Sequence, residues 1–296
     1  MDGSALAAAK VNLFLHVGAP GADGYHPICS LMAFADIGDR LTAREADALS
    51  LSIRGPFAAG LGSVDDNLVM RAIHALVAED KQPVAPMGFT LEKLLPVASG
   101  LGGGSSDAGA ALRLMREALA LPISDARLEA VAAGLGADGA ACLWGRPVIA
   151  EGRGERLTAA PALPPLDVVL VRPPVPVSTA EVYRRFDADG RFGDVTPPQE
   201  PDNFESPQEL AAWLVGLRND LEAAAVAVAP EVGAVLDTLR DEPETLLARV
   251  SGSGGTCFAL CAGDIEAEGL AERIEAIAPT WWVKRCRLGG PWPDEG

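Results

Sequence analysis

Residues 96–121 read PVASGLGGGSSDAGAALRLMREALAL. Gly100, Gly102, Gly103 and Gly104, with Gly109 close behind, are more glycine than a tight turn needs. Glycine lets backbone N–H groups converge on one point, because no side chain blocks the approach and positive φ is open to it. The pattern that follows is helical, with Ala108, Ala111, Leu112, Met115 and Leu119 on one stripe. Its first turn adds unsatisfied N–H groups and the positive end of a helix dipole. Ser105, Ser106 and Asp107 fall where an N-cap and first turn belong. Such a loop holds a phosphate by its backbone, with no basic side chain of its own. It is not a Walker loop, which needs GxxxxGK[ST], nor a GxGxxG that opens a first βαβ unit. Three other residues are of chemically useful type: Lys10 beside Asn12 in an apolar segment, Asp138 in the turn LGADG, and His26 closing DGYH. Each, taken singly, has an ordinary reading: a lysine stem lying on apolar surface, a turn-capping carboxylate, a hydrogen-bonded surface histidine.

The elements that must carry these residues follow from periodicity. Residues 10–17 alternate, with Val11, Leu13, Leu15 and Val17 on one face and Asn12, Phe14 and His16 on the other, which predicts a strand. The stretch Ser4–Val17 is apolar enough to resemble the middle of a signal peptide, but it has no basic leader and Lys10 interrupts it. Further strands are predicted at 28–37, 49–54, 89–95, 167–174 and 281–288, and helices at 66–78, 124–134, 179–186, 208–229 and 266–277. A second Gly/Ser loop at 250–263 runs into a strand, either as part of a ligand site or as a structural turn. Ala and Pro dominate 158–166, a candidate linker, and 191–204 reads as an exposed loop. Strands mixed with helices in both halves predict an α+β protein.

Composition bounds the function. A chain of 296 residues, 49% hydrophobic and 22% charged, predicts about two globular domains. A formal charge of −17 excludes a non-specific nucleic-acid or anionic-membrane binder, whose surface needs a positive field. The same charge means that any phosphate site must be built locally. Only Lys10, Lys81, Lys93 and Lys284 are lysine, against a larger set of arginines. Cys29, Cys142, Cys257, Cys261 and Cys286 show no metal-ligand spacing and fit buried thiols in a reducing cytoplasm. No apolar run has the length of a membrane span.

In chain order the sequence carries KVNLFLHV, DGYH, DNLVMRA, PVASGLGGGSSDA, LGAD, EGRGE, RNDLE and SGSGGTCF. This series resembles the GHMP-kinase superfamily from about residue 7 to residue 288. The triple glycine, DGYH and RNDLE resemble the branch that acts on a cytidine diphosphate ester of a sugar alcohol. The resemblance implies a two-domain α+β GHMP-kinase fold. A ribosomal protein S5 domain 2-like N-terminal domain would cover 1–160, and a ferredoxin-like C-terminal domain 161–296. It implies ATP as co-substrate, with Mg²⁺, and phosphorylation of a hydroxyl group. Pro96, Val97, Ala98, Ser99, Gly100, Leu101, Gly102, Gly103, Gly104, Ser105 and Ser106 would surround the ATP phosphates, Ser106 being the metal-associated serine. Asn67, Leu68 and Lys93 would lie near the adenine. Lys10 and Asp138 would be the catalytic pair. Tyr25, His26 and an opposing Tyr183 would hold the cytosine, with Asn12 and Thr179 nearby. The expected partner is a small molecule, without nucleic acid or membrane, for a monomer or homodimer in the cytoplasm. A homoserine or mevalonate type of GHMP kinase, or a non-catalytic nucleotide-binding relative, is the alternative. The chain departs from the branch at Gly139–Ala140–Ala141–Cys142, where bulky residues are usual, at Pro27, and at Gly255.

Overall fold

The computed structural model describes residues 3–80, 85–199 and 201–294. The first half contains β1 (Gly3–Val17), β2 (Ile28–Glu45), β3 (Ser50–Arg54), α1 (Leu68–Asp80), β4 (Met87–Glu92), α2 (Gly103–Ala118), α3 (Asp125–Ala133), α4 (Gly139–Trp144), β5 (Val148–Gly152) and β6 (Arg156–Ala159). The second contains β7 (Leu166–Arg172), α5 (Thr179–Asp189), α6 (Pro207–Val215), α7 (Glu222–Val228), α8 (Pro230–Asp241), β8 (Thr245–Val250), β9 (Cys257–Cys261), α9 (Asp264–Ile277) and β10 (Trp282–Gly289).

One sheet runs through both halves in the order β3-β4-β2-β10-β7-β9-β8, while β1 and β5 pair with β2, and β6 pairs with β5. The long strand β2 is the spine. The halves join where Leu288 and Gly289 of β10 pair with Ala35 and Phe34 of β2. The chain then returns to β1, where the Asp294 carboxylate accepts the Leu6 N–H at 2.9 Å. The stretch expected as a linker leads from β6 to β7 across this continuous sheet.

The strict alternation expected over residues 10–17 of β1 fails at one point. The register of β1 against β2 shifts between Ala8 and Lys10 and again between Asn12 and Phe14. The first shift puts two extra residues into β2, and the second admits one extra residue, Leu13, into β1 and re-aims the side chains beyond it. Phe14 therefore packs with Val11 and Leu13, while Leu15 and Val17 turn to another core. The expected helix over 208–229 is two helices. Between them the Leu15 N–H donates to the Arg218 carbonyl and the Asp220 N–H to the Leu15 carbonyl, so the intervening segment adds to β1. Helix α8 opens on Pro230 at its first position, and β8 was hidden because it is only partly buried at its start and carries a charged residue, Arg249. Helix α2 starts at Gly103 after a left-handed Gly102, so Ser105 and Ser106 fall in its first turn, Asp107 just beyond it, and none of the three is the cap.

Asp107 faces a buried cluster. The Lys93 ammonium donates to Asp107 Oδ2 at 2.7 Å and to Asp39 Oδ2, with all three side chains buried. Asp39 Oδ1 also accepts the N–H groups of Leu94 and Leu95 at 2.6 and 2.8 Å. The cluster ties β2, the segment after β4 and α2 together beneath the glycine loop. Burial alone would lower the Lys93 pKa, but the two carboxylates overcome it and hold it raised. Burial, then the Asp39 charge, pushes Asp107 up to about 8 against the pull of Lys93. A carboxyl whose pKa is raised on folding adds stability below its unfolded value near 4, and that contribution is lost as pH climbs through 8. Urea unfolding should therefore show the native protein losing stability relative to Asp107→Asn as pH rises from about 4 toward 8.

The small residues at the start of α4 have a packing reason. A β-carbon on Gly139 would overlap the Ala132 carbonyl oxygen at the end of α3, and one on Gly109 would approach the Cys142 carbonyl oxygen to 2.7 Å. Helices α2, α3 and α4 meet backbone to backbone here, which leaves no room for bulk beside Asp138. Gly139→Ala should cost about 1–3 kcal/mol in urea unfolding, the usual penalty of overpacking.

Candidate active site

The loop before α2 is shaped by left-handed backbone at Ala98, Gly100 and Gly102, with φ of 50°, 78° and 65°. The glycine at position 100 is required twice over. Its φ is positive, and a β-carbon would overlap the Ser251 carbonyl oxygen of the second Gly/Ser loop. The two loops are bonded back to back. The Thr256 N–H donates to the Ser99 carbonyl at 3.0 Å, and the Ser251 hydroxyl donates to the Gly100 carbonyl at 3.1 Å. Asn219 of RNDLE braces the second loop, its amide donating to the Val250 and Gly252 carbonyls at 2.8 Å each.

Strand β1 passes under the first loop, where the Lys10 N–H donates to the Leu101 carbonyl at 2.8 Å. The Lys10 ammonium donates to Asn12 Oδ1 at 2.6 Å and lies 3.3 Å from Asp138 Oδ2. Asn12 is fixed in turn, its amide donating to Ser30 Oγ at 2.8 Å and Ser30 to the Phe14 carbonyl. Asp138 precedes α4 but makes no side-chain cap bond to it, so its carboxylate faces Lys10 instead. Burial pushes the adjacent Cys142 thiol up to about 12, which keeps it inert.

A cavity of about 810 Å³ opens over this pair. Its walls include Lys10, Asn12, Tyr25, His26, Asn67, Leu68, Lys93, Pro96, Val97, Ala98, Ser99, Gly100, Gly102, Gly103, Gly104, Ser105, Asp138, Thr179 and Tyr183. Of the residues expected at the site, Leu101 and Ser106 are not in those walls. Leu101 is buried in the core, and the buried Ser106 hydroxyl donates to the Ala8 carbonyl at 2.7 Å. Two others do structural work as well. Asn67 Oδ1 accepts the Val69 N–H at the start of α1, and the Lys93 ammonium is engaged by its two carboxylates. At the far end, the His26 and Tyr183 rings lie 5.2 Å apart. His26 Nδ1 donates to the Gly18 carbonyl at 2.8 Å, and Nε2 lies 3.1 Å from Asp187. Burial, helped by Asp138 and Asp187, pushes the Tyr183 hydroxyl up to about 12, so it stays protonated. Gly252, Ser253, Arg153, Arg184 and Asp187 also line the cavity without having been singled out as site residues. Ser253 Oγ sits 2.7 Å from Thr179 Oγ1, and its SGSGG motif was the signal available for it. No group of three or more His, Cys, Asp or Glu side chains able to hold a metal occurs among the described residues.

Together the walls offer a backbone anion cradle, a buried cation beside a carboxylate, and aromatic rings at one end. The descriptions "GHMP kinases N terminal domain" and "GHMP kinases C terminal" match residues 67–146 and 202–279. A protein of Caulobacter sp. (strain K31) named 4-diphosphocytidyl-2-C-methyl-D-erythritol kinase is 65% identical over 97% of this chain and 99% of its own. A protein of the same name from Caulobacter vibrioides (strain NA1000 / CB15N) is 60% identical over 96% and 99%. A crystal structure of 4-(cytidine 5'-diphospho)-2C-methyl-D-erythritol kinase superposes with a TM-score of 0.77 at 33% identity, covering 97% of this chain and 99% of that one. L. major mevalonate kinase in complex with R-mevalonate, at 17% identity and a TM-score of 0.69 over 98% and 97% of the two chains, shares the fold alone. The motifs, the sheet and this level of identity agree: the chain belongs to the 4-diphosphocytidyl-2-C-methyl-D-erythritol kinase family of the GHMP kinases.

Proposed function

We propose that the protein transfers the terminal phosphoryl group of ATP to the 2-hydroxyl of 4-diphosphocytidyl-2-C-methyl-D-erythritol, a step of non-mevalonate isoprenoid precursor synthesis. The observation that carries the reading is the Lys10–Asp138 pair, 3.3 Å apart, at the junction of a phosphate-type loop with a ring-lined pocket. Phosphoryl transfer needs little covalent help from a protein; it needs reactants held in line and charge offset. Here the loop N–H groups and the start of α2 would hold the ATP phosphates. Asp138 would accept the hydroxyl proton as the new P–O bond forms. Lys10, locked by Asn12, would polarise that hydroxyl and offset the growing charge. The cytosine would lie among Tyr25, His26 and Tyr183, where a flat ring finds flat partners.

Magnesium fits this site as a companion of the nucleotide, since Asp138 and Ser105 bring oxygen donors to the cavity wall beside the phosphate-type loop. It would neutralise phosphate charge when bound. Ser105, which borders the cavity, would hold it together with the ATP oxygens, in place of the buried Ser106. No helix among the described residues is long and apolar enough to cross a membrane, and all five cysteines are free and buried. Buried free thiols support a reducing compartment such as the cytoplasm, and the assembly we propose there is a monomer or homodimer. The two halves, 1–160 and 161–296, would act as nucleotide-binding and supporting domains.

The test is ADP release with the cytidine substrate against homoserine and mevalonate. Turnover should be confined to the cytidine substrate. Asp138→Asn and Lys10→Ala should each lower kcat by about 10²–10⁴. Asp138→Asn keeps the shape of the turn but leaves the buried Lys10 ammonium without its charge partner, so its thermal midpoint should fall while its circular dichroism stays native. ATP binding without transfer to any of the three alcohols would overturn the proposal.

A further inference from the structure

The motif EGRGE is left without a role by the site described above. Its residues form the turn between β5 and β6. Gly154, at φ 107°, packs so closely that a β-carbon would overlap the carbonyl oxygen of Ala137, the residue before Asp138. The Gly154 N–H donates to the Glu151 carbonyl at 3.0 Å and the Arg153 N–H to Glu155 Oε2 at 2.6 Å, which sets the turn. Arg153 then reaches the opposite wall. Its guanidinium lies 4.4 Å from the centre of the Tyr25 ring and donates to Asp23 Oδ2. Asp23 Oδ1 accepts the Tyr25 N–H at 3.0 Å. Asp23 thus grips Tyr25 by its backbone and Arg153 by its charge, while Arg153 covers the ring. Tyr25 is 61% exposed, and both it and Arg153 border the cavity.

We propose that Arg153 is a positioning residue for the cytidine end of the substrate, holding the Tyr25 ring as a ready-made wall of the pocket. The assignment rests on the cytidine reading above. An exposed tyrosine loses rotamer freedom when it meets a ligand. A guanidinium stacked on the ring meets that loss before the ligand arrives. Because Asp23 already pairs the charge, Arg153 acts through its flat face rather than as a free cation for phosphate. The same turn leans on Ala137 through Gly154, so the base wall and the turn carrying Asp138 share one support.

The experiment measures binding of cytidine, cytidine diphosphate and ADP by calorimetry, with steady-state kinetics alongside, for the native protein, Arg153→Ala and Asp23→Asn. Arg153→Ala should weaken cytidine and cytidine diphosphate by the same factor, roughly two- to fivefold. KM for the cytidine substrate should rise likewise, with kcat, KM for ATP and ADP binding unchanged. Asp23→Asn should move the same quantities in the same direction. A loss confined to the diphosphate would make Arg153 a phosphate ligand and overturn the proposal. Unchanged or tighter cytidine binding would do so too, as would equal weakening of ADP. If the native protein binds cytidine diphosphate but transfers no phosphoryl group, the functional reading fails and the calorimetry still decides this one. If it binds no cytidine compound, both fail.

Discussion

The close approach of two glycine loops is the constraint on which the rest of the site depends. Gly100 from the first half and the 251–255 loop from the second meet with no space for a β-carbon between them. That contact sets the shape of the phosphate-type loop, and through it the place of α2 and of Lys10, whose N–H is bonded to the carbonyl of Leu101. Asn219 braces the outer loop, and the Lys93 cluster braces the inner one from below. A loop held from both sides can aim its N–H groups before any ligand arrives, which is what preorganised charge stabilisation requires.

What was legible in the sequence follows the same logic. Glycines forced by positive φ or close approach stand out against ordinary composition, so residues 100–104 declared themselves. Lys10 and Asp138 did not. They lie 128 positions apart and meet only because β1 runs under the loop and α4 starts beside it. Asp39 was invisible for a related reason. It is one carboxylate in a strand, and its partners Lys93 and Asp107 come from other elements. The faces of β1 were misread because a shifted register leaves no mark on an alternating pattern. Ser106 lies behind the cavity wall and Ser105 borders it, because family likeness fixes a position in the chain, whereas a step of about 100° along the helix decides which neighbour meets the cavity.

The acidity of the chain, −17 overall, is compatible with two polyanionic ligands once the positive field is counted at short range. Loop N–H groups, the start of α2 and Lys10 act within a few ångströms, while the surface carboxylates act through water and salt. Other cations near the cavity are already neutralised. Lys93 is held by Asp39 and Asp107, and Arg153 is matched by Asp23. Lys10 is thereby left as the buried ammonium shared with Asp138, the carboxylate proposed to accept the hydroxyl proton.

The return of the last strand to the first half bears on how the molecule is made. Arg249 donates to the carbonyls of Leu13, Leu214 and Leu217, and β10 closes on β2 only through residues 288 and 289. A chain leaving the ribosome would therefore display its first 160 residues with the centre of the sheet open and the phosphate-type loop unbacked. Such an open strand edge is a hazard during synthesis. The phosphate-type loop gains its backing late, after the 251–255 loop has emerged.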